Sequence, residues 1–192
     1  MMPNSEYITI VSGLPRSGTS MMMKMLEQGG LPVVTDRLRT ADDDNPNGYY
    51  EFEPVKKTRD DPSWLPDARG KVVKMVYSLL RDLPANFKYR VVFMRRALPE
   101  VIASQNKMLR RHGKDPKPGD DALMMGLFEK ELQKIEEWLE LQPNFETVYV
   151  WYNELLGGPQ ETVKVINEFC DGVLDEAAMC TVIDPNLYRN RA

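Results

Sequence analysis

The sequence predicts an α/β domain with a mainly parallel central sheet. Short Val-rich apolar runs recur along the chain, helical stretches separate them, and the first run ends in a glycine-spaced loop that opens a helix. Tyr7–Ser12 is the first strand, nearly continuous in its apolar character, as a strand buried on both faces should be. The helix Gly18–Gln28 follows, its Met21, Met22, Met23 and Met25 reading as adaptable filler against a sheet. Residues 35–70 break the rhythm: they are rich in Asp, Asn, Arg and Pro, yet hold Tyr49, Tyr50, Phe52 and Trp64. A loop of that length with so many aromatics reads as a partly ordered cover over the active site or, alternatively, as an insertion docked on the surface.

Further strands are expected at Val72–Tyr77, Arg90–Met94 and Thr147–Trp151. Helices are expected at Pro99–Arg111, Asp121–Leu141, Pro159–Cys170 and Asp175–Cys180. Within Asp121–Leu141 the apolar positions Leu123, Leu127, Phe128, Leu132, Ile135, Trp138 and Leu139 repeat at helical spacing, and Glu129, Lys130, Lys134, Glu136 and Glu137 read as a solvated face. Gly113–Asp121, with Pro116 and Pro118, reads as the loop between two helices. One domain over 1–192 is the expectation for 192 residues.

Composition narrows the function classes. A net charge of −4 argues against broad nucleic-acid binding, which needs a basic face. No apolar run approaches the roughly 20 residues that span a bilayer, and Met-Met-Pro-Asn-Ser-Glu-Tyr does not start like a secretory signal. Cys170 and Cys180 form no CxxC pair and read as reduced structural thiols. The expectation is a cytoplasmic enzyme with no membrane or nucleic-acid partner; the oligomeric state is not read from the sequence.

The chemistry starts in the loop. Gly13 and Gly18 have the spacing of a nucleotide-triphosphate loop, but Thr19 stands where that loop carries its lysine, and Arg16 supplies the cation instead. Backbone N–H groups close around an anion only where no Cβ intervenes, and the helix after the loop adds its own N–H groups and dipole. The anion cradle is kept while the lysine that serves ATP is absent, which points to another phosphorylated donor. A second basic constellation leaves the strand Arg90–Met94: Arg96, with Ser104 in the next helix, brings a charged fork and a hydroxyl to one phosphate. Lys74 interrupts an apolar strand, reading either as a cation facing the site or as an edge-strand lysine reaching solvent.

Pro15-Arg16-Ser17-Gly18-Thr19-Ser20, with Arg96 and Ser104, resembles the two motifs of the sulfotransferases that use 3′-phosphoadenosine 5′-phosphosulfate. The chain looks similar to small bacterial members of that group. The resemblance implies a three-layer fold of the P-loop NTPase kind. It also implies that Gly13, Pro15, Arg16, Ser17, Gly18, Thr19 and Ser20 hold the 5′-phosphosulfate, and that Arg96 and Ser104 hold the 3′-phosphate. Arg16 and Lys74 would stabilise charge on the transferring group. Related enzymes lacking a histidine base use a glutamate after the first helix, for which Glu51 is the first candidate and Glu53 the second. The only histidine, His112, falls at a helix end and reads as a cap. Nothing in the sequence matches the C-terminal Arg-Lys-Gly loop of the animal cytosolic enzymes; Arg189 and Arg191 are the candidates to replace it. No metal is implied, since no candidate strand ends in a magnesium-binding aspartate. The rival readings are a P-loop small-molecule kinase and a catalytically silent nucleotide-binding protein.

Overall fold

The computed structural model describes residues 6–36, 38, 48–115 and 119–183. Five strands form one sheet in the order β2-β3-β1-β4-β5, with every pairing parallel. They are β1 (Tyr7–Gly13), β2 (Val33–Val34), β3 (Val72–Lys74), β4 (Lys88–Arg95) and β5 (Phe145–Trp151). Parallel pairing requires long crossovers, and helices supply them. These are α1 (Thr19–Gln28), α2 (Leu98–Arg111), α3 (Asp120–Glu140), α4 (Tyr152–Gly157), α5 (Pro159–Phe169) and α6 (Glu176–Cys180).

Alternation along the strands builds two cores. Val11, Val92 and Met94 face one layer with α1, α4, α5 and α6, where Met22, Met23, Leu155 and Ile166 are fully buried. Ile8, Ile10, Val91 and Phe93 face the other, with α2, α3 and residues 52–68. That stretch forms two short 3₁₀ turns, Glu53–Lys57 and Pro66–Ala68. Phe52 meets Trp64 edge-on at 5.7 Å, and the Trp64 indole donates to Thr58 Oγ1 at 3.1 Å. Two of the aromatics that set 35–70 apart from an ordinary linker, Phe52 and Trp64, thus fill this second core, while Tyr50 packs against the first. Residues 37 and 39–47 of the same segment lie outside the described residues, as do Pro116 and Pro118.

The three-layer α/β fold with a parallel sheet is as the sequence predicts; four details differ. First, β3 stops at Lys74, and Tyr77–Asp82 forms a 3₁₀ turn, because β1 turns away at Gly13 and the pairing ends with Met75 N–H on the Val11 carbonyl. Second, β2 and α4 are additional elements, too short to show a period. Third, Leu123 and Leu127 on α3 stay exposed, at 67% and 49%, although they continue its apolar stripe. A helix of 21 residues extends for about 31 Å, longer than the roughly 26 Å that the eight residues of β4 span. Fourth, Glu136 does not belong to a solvated face: it is half-buried in an ion pair with Arg95.

The chain runs from β1 to one side of the sheet, through β2 and β3, before crossing to β4 and β5. The direction of winding therefore reverses between β1 and β4. Open parallel sheets bind ligands in that crevice, outside the carboxyl ends of the strands.

Candidate functional site

Both basic motifs leave the sheet at the reversal point. Gly13 closes β1 beside Met94 of β4, so the loop 13–20 and Arg96 start as neighbours. At Gly13, φ is +143°, and an added Cβ would stand 2.6 Å from the Met94 carbonyl oxygen. At Gly18, φ is +98°, and a Cβ would meet the Tyr152 ring at 2.5 Å. Glycine is required at both positions by conformation and by space. Between them Ser17 closes the turn, its N–H and its hydroxyl both donating to the Leu14 carbonyl at 3.2 and 2.7 Å. Gly18 caps α1 without a side chain, so the amino-terminal N–H groups of that helix open towards the loop with the positive end of its dipole.

Arg16 joins the two motifs. Its backbone is left-handed, with φ +71°, a conformation that costs a side-chain-bearing residue about 1–2 kcal/mol. Its side chain crosses to α2, where Nε donates to Ser104 Oγ at 3.0 Å. In the other direction Arg96 Nη1 donates to the Arg16 carbonyl at 3.2 Å. Arg96 is itself only 7% exposed: Nε pairs with Glu100 Oε2 at 2.8 Å, and its guanidinium lies 4.4 Å from the centre of the Tyr152 ring.

Lys74 enters from β3. That strand lies between β2 and β1, so the edge-strand reading of this lysine is overturned. It is half-buried, with Nζ donating to Ser20 Oγ at 3.4 Å in the first turn of α1 and to the Tyr49 carbonyl. The adjacent Tyr50 bonds Glu27 of α1 through its hydroxyl at 2.5 Å. Glu51 comes next in the chain, its carbonyl accepting from Asp36 N–H at 3.0 Å and Thr35 Oγ1 at 2.9 Å. Residues 49–51 therefore run beside α1, on the same flank as Lys74.

Pro15 is exposed at the outside of the loop, and Thr19 is half-buried as the first residue of α1. The remaining sequence candidates sit apart. Glu53 points to solvent and pairs with Lys56 at 2.5 Å. His112 is the exposed residue that ends α2. Arg189 and Arg191 lie outside the described residues. Arg95, next to Arg96, goes the opposite way because strand alternation sends consecutive side chains to opposite faces. It pairs with Glu136 and lines a cleft of about 420 Å³ between Trp151 and the acidic side of α3. Two residues that the sequence reading missed stand in the site. Glu100 was marked by its i,i+4 spacing from Arg96, whereas Tyr152, which follows β5, carried no signal before the topology was known.

The loop with the start of α1 forms one group of donors and Arg96 with Ser104 a second, and Arg16 links the two. Guanidinium, ammonium, hydroxyl and backbone N–H donors thus lie at the carboxyl ends of β1, β3 and β4.

Fold and site together define a parallel α/β protein with a glycine loop at its switch point. The sulfotransferase domain family matches residues 8–185, and the chain belongs to that family. Among curated relatives, sulfotransferase 1A1 of Rattus norvegicus is 23% identical over 197 aligned positions, and that of Mus musculus 24% identical over the same length. Each alignment takes in 94% of this chain, which spans 65% of the length of those relatives. Among solved structures, the sulfotransferase domain from the curacin biosynthetic pathway is 18% identical and shares the fold with a TM-score of 0.53, covering 92% of this chain and 77% of that one.

Proposed function

We propose that this protein transfers a sulfonyl group from 3′-phosphoadenosine 5′-phosphosulfate to a hydroxyl or amine of a small-molecule acceptor, in the cytoplasm and without a metal. The observation that carries the reading is the direct linkage of the two basic motifs, Arg16 to Ser104 and Arg96 to the Arg16 carbonyl. Such an arrangement suits one nucleotide bearing anionic groups at both its 5′ and 3′ positions.

In this reading the donor supplies an activated sulfonyl group attached to a phosphate. The loop of Gly13, Pro15, Arg16, Ser17, Gly18, Thr19 and Ser20 holds its 5′ end, with backbone N–H groups as the main contacts. Pro15, which has no N–H, and Ser17, bonded to the Leu14 carbonyl, shape the loop. Arg96 and Ser104 hold the 3′-phosphate. The acceptor attacks sulfur in line, the bond between sulfur and the phosphate oxygen breaks, and adenosine 3′,5′-bisphosphate leaves. Arg16 and Lys74 stabilise the negative charge that grows on the bridging and equatorial oxygens. Glu51 takes the acceptor's proton. Within the segment 35–70, residues 49–51 stand beside the acceptor, consistent with Tyr49 and Tyr50 bonding Lys74 and Glu27 of α1. Positioning and electrostatics then do most of the catalysis.

Calorimetric titration tests the reading against the kinase alternative. Adenosine 3′,5′-bisphosphate without metal should bind at least tenfold tighter than ATP with magnesium. The reverse order would favour phosphoryl transfer. Tight bisphosphate binding with no turnover on any acceptor would leave a silent binding protein.

A further inference from the structure

Glu100 is the least expected residue at the site. It lies in the first turn of α2, where acidic residues usually sit exposed and favour the helix dipole. Here its side chain is only 3% exposed, beside a place built for anions. A buried carboxylate needs a partner, and a buried ion pair is often no more stabilising than a well-packed apolar pair. Stability alone therefore gives little reason for a carboxylate at this position.

Its geometry supplies one. Arg96 leaves β4 two residues before α2 begins, and Glu100 follows it by four positions across the turn. The Glu100 N–H bonds the Ala97 carbonyl at 3.0 Å, which anchors the carboxylate relative to that turn. The carboxylate then takes Arg96 Nε at 2.8 Å, while Nη1 is directed to the Arg16 carbonyl at 3.2 Å and the Tyr152 ring backs the plane at 4.4 Å. Contacts of different direction thus orient the guanidinium plane and tie it to the loop.

We infer that Glu100 is a positioning residue for the 3′-phosphate: it acts through Arg96 by holding the guanidinium in the orientation that meets the ligand. The inference rests on the bisphosphate-nucleotide reading above. It assigns to a negative charge a favourable role in anion recognition, the opposite of what simple electrostatics of the site would give.

The test measures dissociation constants for adenosine 3′,5′-bisphosphate and adenosine 5′-phosphate by calorimetry. Their ratio reports what the 3′-phosphate adds. In the unaltered protein the ratio should be tenfold or more, and Glu100→Gln should lower it at least fivefold. Glu100→Asp, which keeps the charge but shortens the reach, should lower it in the same direction by less, and it decides the matter if the Gln variant fails to fold. In an Arg96→Ala background, Glu100→Gln should change the ratio no further, because the effect runs through Arg96. A reduced melting temperature with an unchanged or increased ratio would overturn the inference, as would a further fivefold loss in the Arg96→Ala background. No 3′-phosphate preference in the unaltered protein would overturn the donor reading and this inference with it, so the two failures are distinguishable.

Discussion

Arg90 and Arg96 belong to β4 and its exit, and they end at opposite ends of the sheet. At the amino end, Arg90 donates a parallel pair of bonds to Asp171 at 2.7 and 2.8 Å, adds Glu146 at 3.2 Å, and lies 4.1 Å from the centre of the Tyr7 ring. These carboxylates, Asp171 first, raise its pKa above the ordinary arginine value. At the carboxyl end, Arg96 meets one carboxylate, a main-chain carbonyl and the Tyr152 ring. Its neighbours Arg16 and Lys74 donate to hydroxyl and carbonyl oxygens. One region neutralises its cation with the chain's own acids. The other brings three cations, Arg16, Lys74 and Arg96, to the crevice where the sheet topology places ligands, with one buried acid, Glu100, paired to Arg96. A buried arginine is therefore not a site by itself; the company it keeps separates a structural pin from a recognition element.

Substitutions test that contrast, starting with the largest expected effect. Arg96→Ala leaves Glu100 buried without its cation and should cost about 3–5 kcal/mol of stability, read from the denaturant midpoint. The folded variant should also lose about 1.5–3 kcal/mol of affinity for adenosine 3′,5′-bisphosphate. Unchanged affinity would remove Arg96 from the site and break the comparison. Gly18→Ala places a Cβ against the Tyr152 ring in a left-handed backbone; strain and overpacking together suggest about 2–4 kcal/mol, with bisphosphate binding weakened as the loop shifts.

Arg90→Ala should act on stability alone. Asp171 and Glu146 keep access to solvent when the cation is removed, so the expected cost is about 1–3 kcal/mol, with bisphosphate affinity changed less than twofold. A large loss of affinity would mean that the two ends are not independent. The smallest effect belongs to Cys170, beside Asp171. Burial pushes its thiol from its ordinary value near 9 up to about 12. The unfolded chain thus loses this proton first, and stability falls as pH rises from about 9 towards 12. Equilibrium unfolding should show this thiol contributing a loss of about 1 kcal/mol between about pH 9 and 10, a contribution removed in Cys170→Ala.

Much of this contrast was legible in the sequence, and the rest was not, for identifiable reasons. Gly13 and Gly18 announced the loop because their backbone conformations admit little else, and Val-rich runs announced β1 and β4 because both lie inside the sheet. The choice of Arg96 over Arg95 came from motif spacing; their opposite directions depend on the strand alternation that the register reveals. The pairing of Lys74 with α1 required the strand order, since an interior and an edge lysine look alike in a linear chain. The stripe on α3 promised more burial than the sheet has length to provide, which explains Leu123 and Leu127. Tyr152 needed the fold itself, because it comes to Gly18 and Arg96 only when β5 lies beside β4.

The most direct measurement is a crystal structure with adenosine 3′,5′-bisphosphate bound. The account predicts the 5′-phosphate against the N–H groups of loop 13–20 and the 3′-phosphate within hydrogen-bond distance of Arg96 and Ser104. Density placing the 3′-phosphate away from those two side chains, with the nucleotide elsewhere on the sheet, would contradict it.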